Sequence, residues 1–219
     1  MTRNCPNSWP KDWPWGARGK DINIIMGGTS PREARMERET NETSIQASVL
    51  LDGQGKADIS TGVGFFARHG LFDLAVAAKG DLHIDAHHTV EDVGICLGKL
   101  FLEAVGAPEG LTRYGHAVVP MDEALAEATI DFSGRPFLVW RADLPGTALG
   151  GFDVELAEEF MRAFAVNSRA TVHISLRYGG NAHHCIEGIF KAFARALRQA
   201  LTLDARVRGI PSTKGMLES

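Results

Sequence analysis

From Ser44 onward the apolar positions of the chain fall into two regular periods. In "SIQASVLL" Ile45, Ala47, Val49 and Leu51 alternate with their neighbours, the two-residue period of a half-buried strand. "DGQG" supplies turn residues and "KADIST" returns, which together predict a β-hairpin. The next stretch, "LFDLAVAAKGD", alternates through Phe72, Leu74 and Val76, turns at "KGD" and leads through "LHID" into a helix over about residues 89–105. That helix carries Val90, Val93, Leu97, Leu100, Phe101 and Ala104 at helical spacing, and Gly106 is a natural stop.

The second half of the chain replays this order. "ALAEATIDFSGRPFLVWRAD" reads as strand, turn and strand, a second hairpin, and "FDVELAEEFMRAFAVN" as an amphipathic helix. "TVHISLRY" is a strand, and "AHHCIEGIFKAFARALRQAL" a helix with Ile186, Ile189, Phe190, Phe193 and Leu197 on one face. Each half therefore ends in a helix that opens with His-His-x-x-Glu, "HHTVE" from His87 to Glu91 and "HHCIE" from His183 to Glu187. This predicts an internal duplication of an α/β unit, with residues 31–112 as the first half and 113–215 as the second. The symmetry has one break. The second half has a full helix over 152–167, where the first offers only "GVGFFARHG".

Consecutive helical residues point about 100° apart, so His87 and His88 do not readily chelate one ion together. His87 with Glu91, or His88 with Glu91, does share a face. Each motif thus suits two metal ions, or one ion and another task, and two copies suggest a pair of ions bridged between the halves. Imidazole with carboxylate suits Mn, Fe, Zn or Co, and spacing does not choose among them. A single surface or capping histidine would need no such reading; the repetition at two helix starts favours metal. His173 in "TVHISL" shares a strand face with Thr171 and Ser175, opposite Val172 and Ile174, and is a further candidate ligand. His83 and His116 read as ordinary polar positions, and His69 beside the short segment stays open.

Composition narrows the class of protein. Apolar residues are 44% and charged residues 23% of 219, with a formal net charge of -4. No basic stripe of a nucleic-acid binder is present, and no apolar run is long enough to span a bilayer. Cys5, Cys96 and Cys185 are far apart and form no CxxC pair, consistent with reduced thiols in a cytoplasmic protein. The N-terminus shows no signal-peptide core. The first 28 residues carry three of the four tryptophans, three prolines and no periodicity. Residues 1–30 are accordingly expected to be a disordered or weakly packed extension, or else translation starts at Met26.

Basic residues beside turns form a second constellation. Arg113 in "RYG", Arg135 in "SGRP", and Ser212 with Lys214 in "PSTKG" are the residue types that hold a phosphate. Each alone is more often a solvated surface group, so their meaning depends on convergence in space.

The segments "RETNETSI", "TGVGFF", "HHTVEDVGICLG", "RYG", "PMDEAL", "DFSGRP", "NAHHCIEGIFKAFARAL" and "PSTKG" resemble, in colinear order from Arg32 to Gly215, those of imidazoleglycerol-phosphate dehydratase. The resemblance implies an α/β (α+β) fold of duplicated half-domains with helices sandwiched between two four-stranded sheets, a ribosomal protein S5 domain 2-like fold. It implies a homo-oligomeric shell of 24 subunits built from trimers, assembled with Mn2+ at two ions per active site, the sites lying where subunits meet. The implied reaction is dehydration of imidazole glycerol phosphate to imidazole acetol phosphate in histidine biosynthesis. It passes through a diazafulvene-like intermediate, with the metal as Lewis acid and template.

Matched residue by residue, the resemblance makes His87, His88, Glu91, His173, His183, His184 and Glu187 metal ligands. Glu42, Asp122, Glu187 and Lys191 become acid and base groups around the reacting carbons, with Glu42 or Glu187 transferring the proton. Arg113, Arg135, Ser212 and Lys214 become the phosphate clamp. One departure stands out. Family members continue "GFF" with an Asp-His-Met segment that supplies another metal-binding histidine, whereas here Phe66 runs straight into "ARHGLFDL", about seven residues shorter. The expected consequences are a shortened helix in the first half and the loss of one ligand. A weakened or inactive homologue that keeps a metal-dependent assembly is therefore the alternative reading.

Overall fold

Strands β1 (Glu33–Glu39), β2 (Ser44–Leu50), β3 (Ala57–Ser60) and β4 (Asp73–Lys79) form one sheet in the order β1-β2-β4-β3. Strands β5 (Tyr114–Met121), β6 (Ala124–Asp131), β7 (Phe137–Arg141) and β10 (Thr171–Tyr178) form a second, in the order β5-β6-β10-β7. The two orders are the same once each half's sheet strands alone are numbered from its own first strand. A small ribbon, β8 (Ala148–Leu149) with β9 (Phe152–Asp153), completes the strands. The helices are α1 (Ala67–Gly70), α2 (His87–Val105), α3 (Leu156–Ser168) and α4 (Ala182–Ala200). This computed structural model describes residues 31–60, 67–82, 84–107, 109–149 and 152–210. The expectations for residues 1–30, for the junction after Phe66, and for Ser212 and Lys214 lie outside the described residues.

The pairing corrects the two predicted hairpins. β2 does not pair with β3, because β4 inserts between them, antiparallel to β2 and parallel to β3. In the second half β10 likewise lies between β6 and β7. Turn residues between two alternating runs look alike whether the strands pair or part. Burial is what separates the cases. β4 is buried continuously from Asp73 to Val76, the mark of a central strand, while β3 is largely exposed and takes the edge. β1 escaped the apolar pattern altogether. Its sequence EARMERE turns Ala34 and Met36 inward and leaves Glu33, Glu37 and Glu39 exposed, a charged edge strand.

α2 lies on β1 and β2, and α4 on β5 and β6, so each sheet is covered by the helix that closes its own half. α3 then packs along α2 as well as on β7, and α1 packs against α4 and β4. The helices are thereby sandwiched between the sheets, each connecting helix lying on the other half's closing helix. α3 has 13 residues and α1 has 4 among the described residues; the expected shortening turns on residues 61–66, which lie outside them. The predicted helix over 152–167 starts four residues later, because Phe152 and Asp153 pair in the ribbon.

The close approach of α2 and α3 is written in Gly94 and Gly98, one turn apart. A Cβ on Gly98 would stand 2.7 Å from the Phe164 carbonyl oxygen, and one on Gly94 2.9 Å from that of Phe160. A line of edge-on aromatic contacts crosses the interior between the halves. Phe72 meets Phe101 at 4.9 Å between centroids, Phe101 meets Phe164 at 5.5 Å, and Phe164 meets Phe193 at 5.0 Å. All four rings are almost wholly buried. Each such side chain contributes about 1.5–3 kcal/mol of burial, enough to fix how α2, α3 and α4 sit.

Candidate active site

The two histidine pairs occupy the first turns of α2 and α4. At α4 the local cause is visible: the Asn181 side chain caps the helix by accepting hydrogen bonds from the backbone N–H groups of His183 (2.9 Å) and His184 (3.3 Å). At α2 the Asp85 carboxylate accepts from the His87 N–H at 2.8 Å. Within each pair the rings diverge, with centroids 6.1 Å and 6.0 Å apart and steep interplanar angles. Neither pair is set to chelate one ion by itself.

Each second histidine is instead surrounded by carboxylates. His88 donates from Nδ1 to Asp81 Oδ2 at 3.0 Å, with Glu42 Oε2 at 3.6 Å from the same nitrogen. His184 donates from Nδ1 to Glu123 Oε2 at 2.7 Å, and its Nε2 lies 3.5 Å from Asp122 Oδ2. Glu42 sits in the β1–β2 turn and Asp122 in the β5–β6 turn, so the duplicated hairpin delivers a carboxylate to the duplicated histidine. Asp122 adopts φ 47°, a left-handed conformation for a residue with a side chain. The Asp81 hydrogen bond raises the His88 pKa above the ordinary value, with the Glu42 charge adding to it, and Glu123 does the same for His184. In return the His184 hydrogen bond, helped by the Asn181 and Gly180 amides, holds the Glu123 carboxyl down at about 2.

The first histidine of the α4 pair faces Glu187, one turn on. His183 Nε2 lies 3.1 Å from Glu187 Oε2, and Lys191 Nζ lies 2.7 Å from Glu187 Oε1. Lys191 chiefly, and then His183 and His69, keep Glu187 ionised below the ordinary carboxylate range. His69 belongs to α1, which packs against α4. In α2, Glu91 is half-buried one turn on from His87.

The phosphate candidates converge as far as they are described. Arg113 donates to both Asp131 oxygens, Nε at 2.7 Å and Nη2 at 3.1 Å, and Arg135 Nη2 reaches Asp131 Oδ2 at 3.4 Å. Arg113 is mostly covered, and Arg135 remains largely exposed. His173 is exposed between buried Val172 and Ile174, opposite Thr129 in the register of β6, on the same outer sheet face as Asp131.

Four residues of this neighbourhood were not singled out by sequence patterns: Asp81, Asp92, Glu123 and Asp131. Their motifs were legible, in "KGD", "HHTVED", "PMDEAL" and "DFSGRP", but their roles depend on partners far away in the chain. Asp92 is the clearest case. Arg38 of β1 donates to its Oδ1 from Nε (3.0 Å) and Nη2 (2.8 Å), and the Thr43 hydroxyl donates to Oδ2. The β1–β2 turn that carries Glu42 is thereby fastened to the helix that carries His88.

Imidazole nitrogens next to carboxylates are a donor set that fits a first-row divalent ion. A ring held at Nδ1 by a carboxylate, as His88 and His184 are, has the form of a metal-ligating histidine with its outer partner. Yet no group of three or more His, Cys, Asp or Glu among the described residues is arranged to hold an ion within one chain. The second sheet also holds the phosphate candidates apart from the second histidine pair. Arg113, Asp131 and Arg135 lie where β5 begins and β6 ends, and Asp122 and His184 where β5 ends and β6 begins. Seven residue steps separate them, roughly 24 Å at the rise of an antiparallel strand. One small substrate cannot meet both ends of a single chain.

The family model described as imidazoleglycerol-phosphate dehydratase matches residues 63–197. The chain belongs to the imidazoleglycerol-phosphate dehydratase family. It is 53% identical over 193 residues to the imidazoleglycerol-phosphate dehydratase of Geobacillus kaustophilus, covering 85% of this chain and 99% of the relative. The relative of that name from Bacillus subtilis is also 53% identical over 193 residues, with 85% of this chain and 100% of the relative covered. Among solved structures, the Staphylococcus aureus imidazoleglycerol-phosphate dehydratase superposes with a TM-score of 0.71 at 43% identity, over 78% of this chain and 99% of that one. The Pyrococcus furiosus structure gives 0.70 at 38% identity, over 83% and 100%. The family is one of hydro-lyases, and its members share the two-sheet architecture found here. None of these likenesses supports the reading of a weakened homologue. No helix among the described residues is long and apolar enough to cross a membrane.

Proposed function

We propose that this chain dehydrates imidazole glycerol phosphate to imidazole acetol phosphate, a step of histidine biosynthesis, in the cytoplasm. The observation that carries the reading is the repeated pairing of a turn carboxylate with a helix histidine, Glu42 with His88 and Asp122 with His184. Two imidazole–carboxylate centres suit a reaction in which a proton must leave one carbon and a hydroxyl another. The names of the relatives point to the same substrate.

Divalent metal, Mn2+ on the family's pattern, would be held by His87, His88, Glu91, His173, His183, His184 and Glu187. When bound it would supply Lewis acidity and a template for the substrate imidazole. The chain's own groups have separable tasks. Glu42 or Glu187 accepts the proton, and Lys191 keeps Glu187 ionised for either service. Asp122 stands beside His184 to exchange a proton with the departing hydroxyl. Arg113 and Arg135, gathered by Asp131, bind the phosphate with Ser212 and Lys214. Because the arginines and His184 lie at opposite ends of one sheet, the working site combines residues of several chains. That geometry accords with a homo-oligomer of 24 subunits assembled from trimers.

The test is turnover. Purified chain supplied with Mn2+ and imidazole glycerol phosphate is expected to release imidazole acetol phosphate. Absence of product in the chain as it stands, with activity appearing once Asp-His-Met and its following residues are inserted after Phe66, would overturn the proposal for this sequence.

A further inference from the structure

We propose that Glu123 is a positioning residue that fixes His184 in the tautomer presenting Nε2 as a metal donor. The inference rests on the reading of His184 as a ligand, and goes beyond it by naming what sets the ring. A carboxylate only accepts hydrogen bonds, so the 2.7 Å contact from His184 Nδ1 to Glu123 Oε2 keeps a proton on Nδ1, and in the neutral ring that a metal requires the lone pair is then on Nε2. Nε2 is the nitrogen that points toward Asp122.

The other oxygen of Glu123 is what makes the arrangement rigid. Oε1 accepts from the backbone N–H of Asn181 at 2.7 Å and of Gly180 at 3.2 Å. These are the residues immediately before α4, and Asn181 is the one whose side chain caps His183 and His184. One carboxylate therefore clasps the helix entry with one oxygen and the histidine ring with the other, and the ring cannot turn without breaking the clasp. The first half reaches the same end by a different route. There His88 Nδ1 is held by Asp81, from the connection between β4 and α2 rather than from the hairpin turn. A duplicated fold has thus recruited carboxylates from non-equivalent elements to hold equivalent rings, which a purely structural ion pair would have no reason to do twice.

The clasp also dictates the experiment. In E123Q the two backbone donors still require an acceptor, so the amide oxygen stays on Gly180 and Asn181, and the amide NH2 is turned to His184. That NH2 can only donate, which makes Nδ1 the acceptor and moves the ring proton to Nε2, where it blocks ligation. E123Q thus keeps the structural half of the role and reverses the positioning half; E123A loses both. Binding of Mn2+ is measured on the assembled protein by the electron paramagnetic resonance signal of free Mn2+, with thermal melting of the metal-free proteins alongside. The expected result is that E123Q melts close to wild type, well above E123A, while its Mn2+ affinity falls about 10- to 100-fold. Wild-type affinity in E123Q overturns the positioning role and leaves the ligand reading intact. A wild-type protein that binds no Mn2+ overturns both. A loss of affinity in E123Q matched by the same fall in melting temperature as E123A also overturns it, since the residue would then act through folding alone.

Discussion

Glu42 Oε2 stands 3.6 Å from Nδ1 of His88, although the two residues belong to different layers, a strand turn and a helix start. Glu42 is exposed, so its side chain is available to a substrate. E42Q is expected to lower kcat by about 10²- to 10⁴-fold, the usual worth of a positioned proton-transfer group. Stability should stay within about 0.5 kcal/mol of wild type, as for other exposed substitutions. Steady-state kinetics and a melting curve on the same preparation check both halves of the statement.

Asp92 holds that turn in place. It is buried in α2 and receives Arg38 and Thr43, the two residues that flank the Glu42 turn on its strand sides. D92A leaves the Arg38 guanidinium and the Thr43 hydroxyl without their acceptor, which costs about 1–3 kcal/mol where such groups are covered. For a chain of this size that is roughly 2–4 °C of melting temperature per kcal/mol. Activity should fall further than stability explains, because Glu42 loses its register with His88. Full activity in a D92A protein that has lost stability would show that the clamp serves the fold only.

Much of this arrangement was legible in the sequence because it is local. The periods of β2, β4, α2, α3 and α4 follow from apolar spacing within single elements, and the duplication shows in their repeated order. The two HHxxE motifs were visible because four residues of helix place both groups on one face. What stayed hidden depends on distance. Parallel β3 and β7 looked like hairpin partners of β2 and β6, since a turn does not reveal which strand comes to lie beside it. Asp131 takes its role only where Arg113 and Arg135 meet on it, and Asp92 only where Arg38 arrives from another layer.

The contact between α2 and α3 can be tested through its glycines. G98A places a methyl group 2.7 Å from the Phe164 carbonyl oxygen, a backbone atom that cannot swing aside. Overpacking of this kind costs about 1–3 kcal/mol, more than the helix propensity gained by replacing glycine. Gly180 is the control, because a Cβ there meets nothing within 4 Å. The urea midpoint of G98A should drop while that of G180A stays near wild type.

Glu127 on β6 gives a pH-dependent counterpart. Arg177 first, and then His116, hold its carboxyl below the ordinary range by hydrogen bonding. A depressed folded-state pKa means that the stabilisation is present above the unfolded value of about 4.3 and is lost as pH falls through the folded one. Both partners are more than half exposed, so the effect is at most about 1 kcal/mol. Wild type should therefore melt slightly above E127Q at pH 6, and the gap should close at pH 2–3.

The separation of Arg113 from His184 leads to a prediction about assembly. If each site takes its phosphate clamp from one chain and its second histidine pair from another, two inactive variants can complement each other. R113A lacks the clamp residue that Asp131 holds bidentately, and H184A lacks the ring that Glu123 holds, so each alone should be nearly inactive. In a mixture dissociated and reassembled from equal amounts, about a quarter of the sites would draw both intact parts from different chains. Were both parts supplied by the same chain, every site would carry one defect and the mixture would remain as inactive as its components. Recovery of about a quarter of wild-type activity on reassembly, and none on mixing without dissociation, is the expected outcome.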